Sequence, residues 1–469
     1  MEGVRKRAGI RVPARAAAWY VTSSIIARGV GVLGTPLFTR LLTPQEYGLY
    51  PLYNGYLSIL TVICSLELTG SVLYKELQLS DSKEKTLCTS LLPCMIVLGV
   101  FLSTYLAFRN FFNELTGLST TVTMLLIGQV FFNIVTAIYT AEMRYEYRYK
   151  TVALLNLCAA VGAPTLSVAL IRISKARSEA RIIGLFLATG VIALALLPSF
   201  IKGWRGFFNY KGGVRLIKRG LPLLPYFLSS TLITRINEIA IGRNLGTGAL
   251  GGYSIAVSLG SSLNIVSLGI LSALNPWITR RLKCKECERI RSLLTLCFYA
   301  LCICAIFFLG AMPEAVKFIT PPDFHYVLGY IYPICLAVVP SFLSGAFSSA
   351  VSFFSTGARA SVYAVGVAVA ASVCSLSLVP KFGVSLGAFI TLFSYIALSV
   401  FNFFAVKRTT GERLINPVKC ITAFFITSIY ALLLFLFRSV LLSRVLLLLA
   451  VLPIGLSIGK GVLQIIKEE

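Results

Sequence analysis

Residues 222–243 read PLLPYFLSSTLITRINEIAIGR. The stretch has the length of a membrane span, roughly 20 residues, yet Arg235, Asn237 and Glu238 lie near its middle. A charge at the bilayer centre costs about 2.5–3.5 kcal/mol on insertion scales. Charges kept there face a protein or water-filled interior and mark a pathway. The stretch therefore predicts a helix that opens the second half of a transporter.

The rest of the chain supports a membrane setting. Of 469 residues, 57% are hydrophobic and only 13% charged. Long apolar runs recur throughout, where a barrel would show alternating strands of about ten residues. Backbone groups in lipid must be satisfied within helices or a closed barrel. The expected class is an all-α polytopic membrane protein with about 14 spans, the first at 16–38 and the last at 443–465. Spans 48–72, 249–275 and 418–437 are among them. Connections are short, and none could fold as an enzymatic domain.

The net charge of +25 would suggest nucleic acid in a soluble protein. Here the positive-inside rule explains it, and no nucleic-acid partner is expected. With the N-terminus in the cytoplasm, 30 of the 43 Lys and Arg fall on cytoplasmic segments and 11 on outer ones; Arg28 and Arg235 lie inside spans. This bias predicts both termini in the cytoplasm, with the basic loops attracted to anionic membrane lipids. One loop is discordant: RISKARSEAR, 172–181, puts four basic residues outside. Either a span is miscounted there or those charges meet an anionic partner.

The 12 cysteines lie mostly in apolar runs, as small apolar residues. Cys284 and Cys287 form a CxxC, but zinc needs two more ligands, and the single histidine, His325, falls on the other face. No metal and no cofactor is expected. Weak internal symmetry appears. SSIIARGVGVLGTPLFTRLLTPQEYGLY (23–50) parallels SSTLITRINEIAIGRNLGTGALGGYSIA (229–256), matching Arg40 with Arg243 and Tyr50 with Tyr253. Two lobes related by an axis along the membrane normal would give this pattern. The expected division is 1–205, 206–410 and a two-helix tail, 411–469.

LLTPQEYGLYPLYNGYLSIL (41–60), LPLLPYFLSS followed by IGRNLGTGALGGYSIAVSLG (221–260), NPWITRRL (275–282) and VPKFGVSLGAFITLFSYIAL (379–398) together resemble the polysaccharide transporter family. These are the Wzx-type oligosaccharide and O-antigen flippases of the multidrug/oligosaccharidyl-lipid/polysaccharide exporter superfamily. The resemblance covers about residues 15–410. It implies two pseudo-symmetric six-helix lobes around a central cavity, alternating access, and flipping of an undecaprenyl-diphosphate-linked oligosaccharide across a bacterial cytoplasmic membrane. Polysaccharide polymerase or assembly proteins would then be partners.

Such a substrate needs positive charge for its diphosphate, and Arg pairs bidentately with phosphate while staying charged. Arg28 and Arg235, at comparable places in spans one and seven, are the candidate diphosphate site. Arg28 could instead snorkel to the surface, and Arg235 could pair with Glu238 three residues on. Glu238 is a candidate for a coupling H+ or Na+; Glu67 is a second. Asn237, Gln129 and Asn133 could bind sugar hydroxyls or make interhelical hydrogen bonds. Arg40 and Arg243 could guide the head group out or act as interfacial anchors. Competing readings are an ion-coupled multidrug or metabolite exporter, a lipid II flippase, and a membrane glycosyltransferase or polymerase. The last lacks a sizeable outer loop for catalytic groups.

Overall fold

The computed structural model describes residues 11–68, 72–73, 76–77, 83–146, 148–204, 210–283, 286–353 and 357–453. Among them every regular element is a helix. We number these α1 (Arg11–Leu41), α2 (Pro44–Ser65), α3 (Lys83–Ala107), α4 (Arg109–Thr116), α5 (Thr120–Tyr145), α6 (Tyr149–Ile173), α7 (Arg177–Trp204), α8 (Tyr210–Gly220), α9 (Leu224–Asn244), α10 (Gly246–Gly260), α11 (Asn264–Lys283), α12 (Cys287–Ile319), α13 (Leu328–Phe353), α14 (Gly357–Phe382), α15 (Val384–Thr410), α16 (Pro417–Leu436) and α17 (Leu441–Pro453). Among the described residues, ten helices are long and apolar enough to cross a membrane, so the protein is a multi-pass membrane protein. The helix over the opening stretch, α9, forms but is not one of those ten. Its polar residues lower its apolarity, as its sequence anticipates.

The chain falls into two compact units, Met1–Arg235 with Gly246–Gly248, and Ile236–Leu245 with Ala249–Glu469. In the first, α6 lies along α7, α1 along α6, and α5 and α3 against α7. The α6–α7 approach is close at Gly184, where an added Cβ would collide with the Ser167 backbone. In the second unit, α15 packs against both α13 and α14, α11 against α13, and α16 against α12.

The motif TPQE explains the tight α1–α2 corner. The Thr43 hydroxyl accepts from the Glu46 amide at 3.3 Å, and the Thr43 amide donates to Glu46 Oε2 at 2.9 Å. This reciprocal cap satisfies two orphan donors at the start of α2, and Pro44 suits the first helical turn. Just beyond the corner, Tyr47 and Tyr50 join Phe38 around the guanidinium of Arg181, at 4.5, 4.0 and 4.2 Å from the ring centroids. Arg181 is buried, and its Nη1 has no hydrogen-bond partner. A guanidinium stripped of water gains up to about 2 kcal/mol per ring face. The discordant loop thus keeps three exposed charges, Arg172, Lys175 and Arg177; the fourth, Arg181, is internal and needs no anionic partner.

A continuous second span over 48–72 is corrected. The helix ends at Ser65, and Leu66 and Glu67 take left-handed conformations, φ 49° and 53°. The Leu66 amide turns back to the Ile63 carbonyl at 3.3 Å. The chain here meets α8, the short basic helix that leads into α9. Gly220 closes α8 so near Leu66 that a Cβ would lie 2.6 Å from the Leu66 carbonyl oxygen. Buried Glu76 accepts from Arg215 (Nη2 at 2.6 Å, Nε at 3.2 Å) and from Arg219 Nη1 at 3.3 Å. Hydrogen bonding to Glu76, then its charge, pushes the Arg215 guanidinium above its ordinary value, so Arg215 keeps its charge. Gly220→Ala is therefore expected to displace α8, lowering thermal stability by about 1–3 kcal/mol. Size-exclusion profiles after graded heating measure this; an unchanged midpoint would refute the close approach.

Candidate functional site

The hydroxyls of α9 are satisfied by its own backbone. Ser229 Oγ donates to the Pro225 carbonyl at 2.6 Å, Thr231 Oγ1 to Phe227 at 3.0 Å and Thr234 Oγ1 to Ser230 at 3.3 Å. Back-bonding of this kind lets hydroxyls sit in an apolar helix. Arg235 follows at the end of this hydroxyl run and is half-buried. Arg28 lies within α1, and its side chain is outside the described residues.

One turn beyond Arg235, Asn237 and Glu238 are both buried. Asn237 Nδ2 donates to Thr391 Oγ1 at 2.9 Å, and Ser375 Oγ donates to Asn237 Oδ1 at 2.7 Å. Thr391 Oγ1 also lies 3.4 Å from the Tyr253 hydroxyl. Helices α10, α14 and α15 and the second-unit part of α9 thus converge on one polar cluster, and buried Glu238 follows it on α9. Its oxygens are hard donors of the type that alkali cations accept, and a carboxylate at this depth can also carry a proton. Among the described residues, no group of three His, Cys, Asp or Glu could hold a metal ion.

Asn237 thus makes interhelical hydrogen bonds to Ser375 and Thr391, with the Tyr253 hydroxyl beside Thr391, and the partners Ser375 and Thr391 escape a sequence reading. Serines and threonines abound in membrane helices, and nothing in spacing reveals which ones face Asn237. Gln129 and Asn133 come together inside the first unit. Gln129 Nε2 donates to Asn133 Oδ1 at 3.2 Å and to Thr189 Oγ1 at 2.7 Å, tying α5 to α7, while Gln129 Oε1 is buried without a partner. Glu67 sits in the turn after α2 rather than in a helix. Arg40 and Arg243 are exposed in the last turns of α1 and α9. Cys287 opens α12, and Cys284 lies outside the described residues.

A family model described as "Polysaccharide biosynthesis protein" matches residues 14–282. No curated protein matches the chain by sequence. Among solved structures, the lipid II flippase MurJ in an inward closed conformation superposes with a TM-score of 0.68 at 14% identity, covering 93% of this chain and 97% of that one. An inward-facing multidrug resistance MATE transporter of the MOP superfamily gives 0.62 at 12%, covering 82% and 94%. An outward-facing MATE transporter gives 0.54 at 14%, covering 90% and 96%. The chain shares the fold of these transporters.

Proposed function

The chain belongs to the polysaccharide biosynthesis protein family, and from that premise we propose that it flips undecaprenyl-diphosphate-linked oligosaccharide units across a bacterial cytoplasmic membrane by alternating access. The observation that carries this reading is the family match over residues 14–282 on a chain whose helix α9 keeps a half-buried arginine beside a hydroxyl run. No bond is broken, and the protein acts as a transporter rather than an enzyme. Its task is to lower the cost of carrying an anionic head through about 30 Å of hydrocarbon.

In this reading Arg28 and Arg235 hold the diphosphate, with Arg40 and Arg243 on its exit route. The lobes are residues 1–205 and 206–410, followed by the tail 411–469, with 14 spans and both termini cytoplasmic. Buried Glu238, next to the Asn237 cluster on α9, binds the coupling H+ or Na+. Its position one turn from Arg235 on the same helix supports this: a cation taken up there biases the helix that also carries the phosphate ligand. Proteins of surface-polysaccharide polymerisation and assembly are the downstream partners.

Reconstitution into liposomes tests the function. Lipid-linked oligosaccharide placed in one leaflet should become accessible in the other only with the protein present. An imposed Na+ or H+ gradient should accelerate the exchange, and Glu238→Gln should abolish that acceleration while leaving gradient-free exchange. Gradient-driven export of cationic drugs without lipid exchange would instead favour the multidrug reading.

A further inference from the structure

The second unit carries an apolar cavity of about 660 Å³ between α14 and α15. Small residues open its floor, Gly366, Ala370 and Cys374 on α14, and Phe393 and Ile390 wall it from α15. A side chain added at Gly366 would meet open space. From Tyr363 to Leu378 the groove runs fifteen residues of α14, about 22 Å at 1.5 Å per residue. That length is most of the thickness of a hydrocarbon core, roughly 30 Å.

The two ends differ. At one, Tyr363 and Phe401 stack with centroids 5.4 Å apart and planes 9° apart. The Tyr363 hydroxyl accepts from Arg408 Nη1 at 3.4 Å, which ties a cation to the groove wall. Arg408 and its neighbour Lys407 are exposed in the last turn of α15. At the other end Lys381 closes α14 beyond Leu378, the last α14 residue of the lining. An apolar trough with an arginine fork fixed at one mouth complements a hydrocarbon chain with a phosphate at its head. Its length is near that of one extended fatty-acyl chain, whereas a polyprenyl carrier chain is several times longer.

We propose that the α14–α15 groove is a binding site for an anionic phospholipid, its acyl chain between the helices and its phosphate on Arg408 and Lys407. The site is separate from the one assigned to the transported head group and does not depend on that assignment. Cys374 and Ile390 in the groove directly adjoin Ser375 and Thr391, which hold Asn237. The bound chain therefore lies against the backs of the helices that build the polar cluster.

Phosphatidylglycerol with a diazirine in its acyl chain, mixed into phosphatidylcholine nanodiscs around the full-length protein, provides the test. Label should concentrate on peptides covering 362–378 and 386–401. Unlabelled phosphatidylglycerol should compete and phosphatidylcholine should not. Arg408→Gln should lower labelling roughly tenfold, the loss of one charge-assisted contact. Ala370→Phe and Gly366→Leu should abolish it by filling the trough, and Lys381→Gln should leave it unchanged. Both filling substitutions fall on exposed positions, and a monodisperse size-exclusion peak confirms folding. Label spread evenly over lipid-facing helices, equal competition by phosphatidylcholine, or stronger competition by polyprenyl phosphate would each overturn the proposal.

Discussion

If Arg235 holds the diphosphate as proposed, Arg235→Ala should abolish surface polysaccharide in a complementation assay while the protein stays in the membrane at its normal level; this is the largest functional effect expected. A bidentate guanidinium–phosphate contact consists of charge-assisted hydrogen bonds worth about 1.5–3 kcal/mol each. Losing one such contact slows transport on the order of 10- to 100-fold. Losing it in a low-dielectric interior also leaves the diphosphate with an uncompensated charge, which adds to the barrier. Arg235→Lys keeps the charge and loses the fork, so it should fall between the wild type and the alanine variant. Arg28→Ala should behave like Arg235→Ala. Extracted polysaccharide, quantified beside immunoblots of membrane fractions, is the measurement. Normal polysaccharide in the Arg28→Ala, Arg235→Ala double variant would refute the diphosphate site.

Glu314→Ala should give the largest loss of stability. Arg444, in α17, is almost fully buried against α12. Its Nη1 donates to the Gly310 carbonyl at 3.0 Å and to Glu314 Oε2 at 2.5 Å, and its Nη2 donates to Glu314 Oε1. Removing the carboxylate leaves a buried guanidinium held by a single carbonyl. Breaking such a pair from one side costs about 3–5 kcal/mol when both partners are buried. Glu314 is half-exposed, and water screens part of that loss, so about 2–3 kcal/mol is expected here. The second arm separates electrostatics from packing. Adding Arg444→Met to Glu314→Ala removes the orphaned charge, and stability should return most of the way. The heating midpoint of the detergent-purified protein reads both. If the double variant is no more stable than Glu314→Ala, the pair is not what joins α17 to α12. Tyr332 makes a parallel tie to α16, donating to the Leu434 carbonyl at 3.3 Å and packing edge-on to Phe435. The C-terminal helices thus belong physically to the second unit.

Several elements are legible in the amino-acid sequence alone. TPQE predicts a capped corner because the cap is local: Thr43 and Glu46 lie three residues apart, and the hydrogen bonds need nothing beyond that turn. The polar run through residues 231–238 singles out α9 because the cost of burying charge in lipid does not depend on what lies opposite. Other features could not be read. Leu66 and Glu67 carry no glycine or proline signal for their left-handed turn. The bend follows from the α8 backbone closing at Gly220 against Leu66, a contact between segments about 150 residues apart in the chain. Arg181 looked like a loop charge because its compensation comes from rings on two other helices.

By itself, the sequence determined that this chain crosses a membrane as helices and where its costly charges lie. Both follow from transfer free energies that accrue residue by residue. Tertiary structure decided which of those polar groups meet. Asn237 pairs with Ser375 and Thr391, and Gln129 with Asn133 and Thr189. Arg181 is housed by aromatic rings, and Arg444 is held by Glu314. Partners drawn from distant parts of the chain are chosen by how helices cross, and periodicity within one helix carries no information about what the neighbouring helix presents.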